Sequence, residues 1–270
     1  MVTALALPRL LRLPAAGRRA VSVTERNVVA LKSSYWVVLI SGFFEPVLYL
    51  LSIGVGVGKL VGDLTLPGGV VVTYAAFVAP AMLASSAMTG ALAETTFNFF
   101  GKMKYLKLYE GFIATPVRPF ELALGELAWA MVRGSVYSAA FLVVMVAMDL
   151  TTAPRALLAF PAAVLVGFAF GGLGMALSTF MRSWQDFDLM GSAQFALFLF
   201  SGTFVPPDGY PVAIRWLVEA SPLYQAVVLI RGITLGSPGW SQVGATVYLL
   251  AATVLGLVVA GRRMTKLLCK

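Results

Sequence analysis

The chain contains no histidine and a single cysteine, Cys269, among its 270 residues. Lack of histidine excludes His-based triads, His-ligated metal centres and imidazole proton relays. One cysteine excludes an intramolecular disulfide. Charge is scarce as well. Asp, Glu, Lys and Arg make up 12% of the chain and hydrophobic residues 59%, against about 25% and 45–50% in soluble domains. The scarcity falls in blocks. Residues 64–93, 156–181, 189–207 and 232–261 carry no charge, 36–58 carry only Glu45, and 127–148 carry only Arg133. A hydrocarbon core about 30 Å thick needs roughly 20 helical residues to cross. Six stretches are close to that length or longer, which no ordinary soluble core could hide. The chain therefore reads as an all-α, multi-pass membrane protein. Spans are expected at about 36–58, 70–93, 121–148, 155–180, 188–205 and 241–261.

The charges that are present are arranged by side. Of 20 Lys and Arg, 15 lie in residues 1–35, in 96–120, at Arg182 and in 262–270. Four lie in the alternate connectors, at Lys59, Arg155, Arg215 and Arg231. This asymmetry explains the net charge of +8 without a nucleic-acid partner. The positive-inside rule places both termini in the cytoplasm, as an even span count requires. The bacterial cytoplasmic membrane is the expected location. Residues 1–7 are uncharged, the arginines follow them, and Pro8 and Pro14 interrupt an apolar core, so no cleaved signal is expected. Residues 1–17 read as a flexible tail, 18–262 as one transmembrane domain and 263–270 as a cytoplasmic tail.

Residues 18–35 pattern as an amphipathic helix lying at the membrane interface. Val21, Thr24, Val28, Leu31 and Tyr35 share a face, and Arg26 lies among the polar residues opposite. Within the first span, Glu45-Pro46 combines a helix kink with a carboxylate that needs pairing, protonation or water. Arg133 is a possible partner, and the two form a candidate intramembrane charge pair. The span ends in Gly54, Gly56, Gly58 and Lys59, which superficially resembles a phosphate loop. Walker A requires G-x-x-x-x-G-K-[ST], but Ile53 and Leu60 stand at two of its fixed positions, so no ATP site is expected.

The connector at 95–120 mixes aromatics with lysines, too apolar for a free loop and too charged for a span. It holds Phe99, Phe100, Lys102, Lys104, Tyr105 and Lys107, and Pro116 and Pro119 close it. A short surface helix fits that composition. The fourth span carries the small-residue face Gly167-x-x-x-Gly171. After the fifth span, Pro206, Pro207, Pro211, Pro222 and Pro238 frame two apolar stretches, 212–218 and 223–230, each too short to cross. They read as two short helices re-entering the outer leaflet.

Three segments carry a resemblance: ATPVRPFELALGE at 114–126, FSGTFVPPDGYP at 200–211, and SPLYQAVVLIRGITLG at 221–236. The last two contain an F-x-G-x-x-x-P turn, a Pro-Leu pair and an Arg-Gly before the final span. The chain resembles the permease subunits of type-2 ABC exporters, of the nodulation-factor, lipo-oligosaccharide and daunorubicin-type groups, over residues 18–262. The resemblance implies a second permease, expected to be identical, and two separately encoded ATP-binding subunits, which use the ATP and Mg. No cofactor is then expected on this chain. It also implies that the interfacial helix and the 95–120 connector meet the ATPases, making Arg26, Phe99, Phe100, Lys102, Lys104, Tyr105 and Lys107 candidate coupling residues. The pathway would suit an amphiphilic drug, a lipid or a lipid-linked glycan. Phe195, Phe198 and Phe204 are candidates to line it, or else ordinary core or lipid-facing residues. An ion-coupled transporter using Glu45 and Arg133 is one alternative, although no internal two-fold repeat is visible. A membrane-embedded lipid-modifying enzyme is the other. Its outer carboxylates, Asp63, Asp149, Asp208 and Glu219, would be scattered singly.

Overall fold

A computed structural model describes residues 21–27, 44, 47–65, 71–113, 115–204, 211–236 and 239–268. Glu45, Pro46 and most of the expected interfacial segment beyond residue 27 lie outside the described residues. Helix α1 covers 21–27 and α2 covers 47–61, the latter with a π-helical stretch at Ser52–Val57. A two-stranded antiparallel hairpin follows, pairing β1 (Asp63–Thr65) with β2 (Val71–Thr73) in the register Asp63↔Thr73. Thr73 then caps the next helix, its hydroxyl accepting from the Ala76 N–H at 3.3 Å.

That helix, α3, runs from Tyr74 to Tyr105, 32 residues or roughly 48 Å. The sequence reading ends it at Glu94 and makes 95–120 a connector. Instead the helix continues through π-helical turns at Glu94–Asn98 and Gly101–Tyr105. No proline or strong turn signal interrupts 94–105, and Glu94 has an arginine to neutralise it. The stop comes at Lys107, where φ is +48°, and a six-residue helix, α4 (Leu108–Ile113), follows.

Helix α5 (Pro119–Ala147) starts on Pro119, and the Glu121 carboxylate accepts from the Arg118 N–H at 2.9 Å. A tight turn with Asp149 at φ +56° leads into α6 (Ala153–Ser178). Helix α7 (Asp186–Leu199) is 14 residues long, roughly 21 Å. It is shorter than the span expected at 188–205, because the chain turns at 200–204. Two short helices, α8 (Val212–Ala220) and α9 (Pro222–Thr234), meet at 77°. Helix α10 (Trp240–Leu268) continues beyond Gly261, where the sixth span is expected to end.

Among the described residues, α3, α5, α6 and α10 are long and apolar enough to cross a membrane, and α8 with α9 would make a fifth crossing if counted together. The fold is thus a mostly helical multi-pass membrane bundle. Its centre is α6, which packs against α3, α5, α9 and α10. Glycines on α6 let three of these neighbours approach. A Cβ on Gly171 would lie 2.6 Å from Leu127 Cδ1 of α5, and one on Gly174 would lie 2.7 Å from Leu92 Cδ2 of α3. Gly172 faces Gly256 of α10, where a Cβ on Gly256 would overlap the Gly172 carbonyl group.

Candidate functional site

The candidate coupling residues singled out by sequence divide into a buried set and an exposed set. Phe99 and Phe100 are buried, so neither offers a surface to a partner. Phe99 packs on the Tyr109 ring at 5.3 Å. Phe100 meets Trp184 and Phe187 edge-on at 5.2 and 5.1 Å. Helix α3 continues past Glu94 and turns both rings inward, away from the exposed end of the corner. Tyr105 stacks on Trp184 at 5.3 Å with planes 16° apart, yet stays 56% exposed. Lys104 donates to the Arg182 carbonyl and sits 5.5 Å from the Phe100 ring centre. With Leu106, Lys107 and Glu110, these residues form the exposed end of the α3–α4 corner.

Lys102 turns inward. Its ammonium lies 2.6 Å from Glu126 Oε2 of α5, and the carboxyl side chain is only 5% exposed. Asn27 of α1 joins the pair. Its Nδ2 donates to Glu126 Oε2 at 3.3 Å and its Oδ1 accepts from Lys102 at 3.4 Å. Thr24 Oγ1 donates to the Gly125 carbonyl at 3.0 Å. The Tyr109 hydroxyl is buried beside this group. Burial, then the neighbouring Glu126 charge, pushes its phenol well above the ordinary tyrosine range. The buried side of α1 therefore carries Val23 and Asn27, not Val21. Arg26 is exposed, 5.5 Å from the Phe112 ring centre. Periodicity does not single out Asn27, because it is polar and its burial depends on Lys102 and Glu126, far away in sequence.

Deeper in the bundle, Arg133 pairs with Glu94 and donates to the Tyr137 hydroxyl at 3.2 Å. Its candidate partner from sequence, Glu45, lies outside the described residues. Glu94 was legible as a charge but not as a partner. Its signal is the 39-residue separation between helices that a hairpin brings alongside.

A groove of about 340 Å³ opens between α2, α3 and α7. Tyr49, Ser85, Ser86, Thr89 and Gln194 are its polar lining residues, and Met82, Met88, Phe195 and Phe198 its large apolar ones. Gln194 Nε2 donates to Thr89 Oγ1 at 2.8 Å. Phe195 and Phe198 line the groove, whereas Phe204 sits behind, edge-on to Phe198 at 5.4 Å. A second groove, about 590 Å³ between α5 and α6, has only Ala, Leu, Val and Phe around it, and nothing there would orient a polar ligand. Arg231, read from sequence as an outer-loop charge, instead ties three elements. It donates to the Phe77 carbonyl at 3.2 Å and the Gly202 carbonyl at 3.0 Å, over the Phe77 ring. Among the described residues no three His, Cys, Asp or Glu side chains gather as a metal site would need.

The family model described as ABC-2 type transporter matches residues 19–235. Nodulation protein J of Rhizobium leguminosarum bv. trifolii is 33% identical over 259 residues, covering 94% of this chain and 97% of that protein. Its namesake in R. leguminosarum bv. viciae is 32% identical over 84% of this chain and 86% of its own length. The Rhizobium meliloti (strain 1021) protein of that name is 32% identical, over 84% of this chain and 85% of its own length.

Proposed function

Because the chain belongs to the ABC-2 type transporter family, we propose that it is the permease half of an ATP-driven exporter moving an amphiphile outward by alternating access. Family membership makes it a membrane transport component partnered by an ATP-binding subunit. The finer reading is that two such ATPases, which carry ATP and Mg, serve two identical permeases in a bacterial cytoplasmic membrane. Six crossings with both termini inside agree with the charge asymmetry. The observation that supports the cargo class is the groove at Thr89 and Gln194. Its lining combines hydroxyl and amide groups with Met and Phe side chains, as a ligand with a polar head and an apolar body requires. The bent α8–α9 pair would cap its outer end. The drug, lipid or lipid-linked glycan is distinguished by which of these the groove retains.

The ATPase would dock on the exposed α3–α4 corner and on Arg26. Interfaces place aromatics at the centre and charge at the rim, and Tyr105 with Lys104, Lys107 and Glu110 follows that order. Copurification with the ATPase tests it. A Lys104→Glu, Tyr105→Ser, Lys107→Glu variant should insert normally, keep its fold and lose most of the bound ATPase. Arg26→Glu should act in the same direction more weakly. Undiminished copurification with the triple variant would remove this docking surface.

A further inference from the structure

Four separate elements meet at one buried ionic centre near the cytoplasmic ends of the helices. Glu126 comes from α5, Lys102 from the end of α3, Asn27 from α1 and Tyr109 from α4. Lys102 and Glu126 lie 2.6 Å apart, and Asn27 bonds both. Thr24 adds a second tie from α1 to the α5 backbone at Gly125. Residues adjacent to this centre point the other way: Arg26 in α1 and Glu110 in α4 are exposed. Each of those two elements thus has one side on the proposed docking surface and one on the charged centre.

We propose that the Lys102–Glu126 pair, held by Asn27, is a positioning joint that makes α5 follow displacements of α1 and of the end of α3. The inference rests on the functional reading above. Its physical basis is that a buried ion pair is a poor source of stability. Apolar residues of similar size often stabilise as well or better, because two charges need not be desolvated. What the pair provides is a fixed register. Glu126 Oε2 keeps both of its partners only while Lys102 and Asn27 stay in reach, and separating α3 from α5 leaves a buried charge unpaired. Movement of α1 or of the end of α3 therefore draws α5 with it. Helix α5 carries that movement across the membrane.

The joint is tested in the permease–ATPase complex with the native cysteine removed (Cys269→Ser) and an environment-sensitive fluorophore on Val143→Cys. Val143 is 61% exposed and lies roughly 25 Å along α5 from Glu126, at 1.5 Å per residue. The wild-type background should give an ATP-dependent fluorescence change. Glu126→Gln should lower both thermal stability and that change. The deciding variant is Lys102→Met with Glu126→Leu. It should recover the melting temperature and copurify with the ATPase at the wild-type level. ATP hydrolysis should continue while the fluorescence amplitude falls about tenfold. A double variant that is stable and keeps the full ATP-dependent signal would reduce the pair to a static staple and overturn the joint, leaving the exporter reading intact. A wild-type complex whose fluorescence ignores ATP would overturn the exporter reading, and the joint with it.

Discussion

Arg133 and Glu94 show how individual charges are tolerated inside this bundle. Their side chains are 23% and 10% exposed and contact each other directly. Loss of one partner strands the other, at a cost of about 3–5 kcal/mol. Glu94→Gln and Arg133→Met should each lower the folded fraction after detergent extraction. The double variant should lose less than the sum of the two, and strictly additive losses would show that the pair does not interact. Tyr109 has a different signature. Its phenol is pushed well above the ordinary value, mainly by burial, so the folded state holds that proton after the unfolded chain has released it. The stability it contributes is complete below the unfolded value, about 10, and drains away as pH rises above it. The unfolding temperature should fall above about pH 10, and Tyr109→Phe should flatten that fall. An identical alkaline slope in both proteins would mean that other groups cause it. The sequence shows that these residues are polar and in apolar surroundings. It does not show their partners, because Asn27–Glu126, Lys102–Glu126 and Glu94–Arg133 are contacts between helices.

At the scale of elements, apolar length was the readable signal and helix ends were not. The four long helices α3, α5, α6 and α10 fall within or across stretches picked out by their lack of charge. Helix α3 overruns its expected end because Glu94, a charge that suggests an exit from the membrane, is neutralised by Arg133. Helix α7 falls short because an uncharged run limits where a helix can lie but does not oblige the whole run to be helical, and 200–204 turns instead. The glycines of α6 were legible as a packing face, though not as to which neighbour each one meets. Their roles separate cleanly. Gly256→Leu should prevent α10 from closing on α6, and the protein should fail to give a monodisperse purified species. Gly244, on the same helix with nothing within 4 Å of its would-be Cβ, is the control. Gly244→Ala should be neutral or stabilising by up to about 1 kcal/mol. Equal tolerance of both changes would mean that the α6–α10 crossing is looser than Gly172 and Gly256 require.

For the whole molecule, the proposed docking corner, the buried ionic centre and the membrane groove would together form one path from ATP to cargo. The corner and the groove lie at different depths of the bundle, and α3 links them: it carries Lys104 and Tyr105 at one end and Thr89 near its middle. The groove lies between α3 and α7, so movement of one helix against the other would change its width. The most direct test is uptake by inside-out vesicles containing this chain and its ATP-binding partner, with a fluorescent acylated oligosaccharide and a fluorescent apolar drug as parallel probes. ATP should drive accumulation of at least one probe. Accumulation should vanish with a phosphate-loop mutant of the partner and fall severalfold with Gln194→Leu at the groove. Accumulation that persists without ATP and collapses when the ion gradient is dissipated would contradict the account.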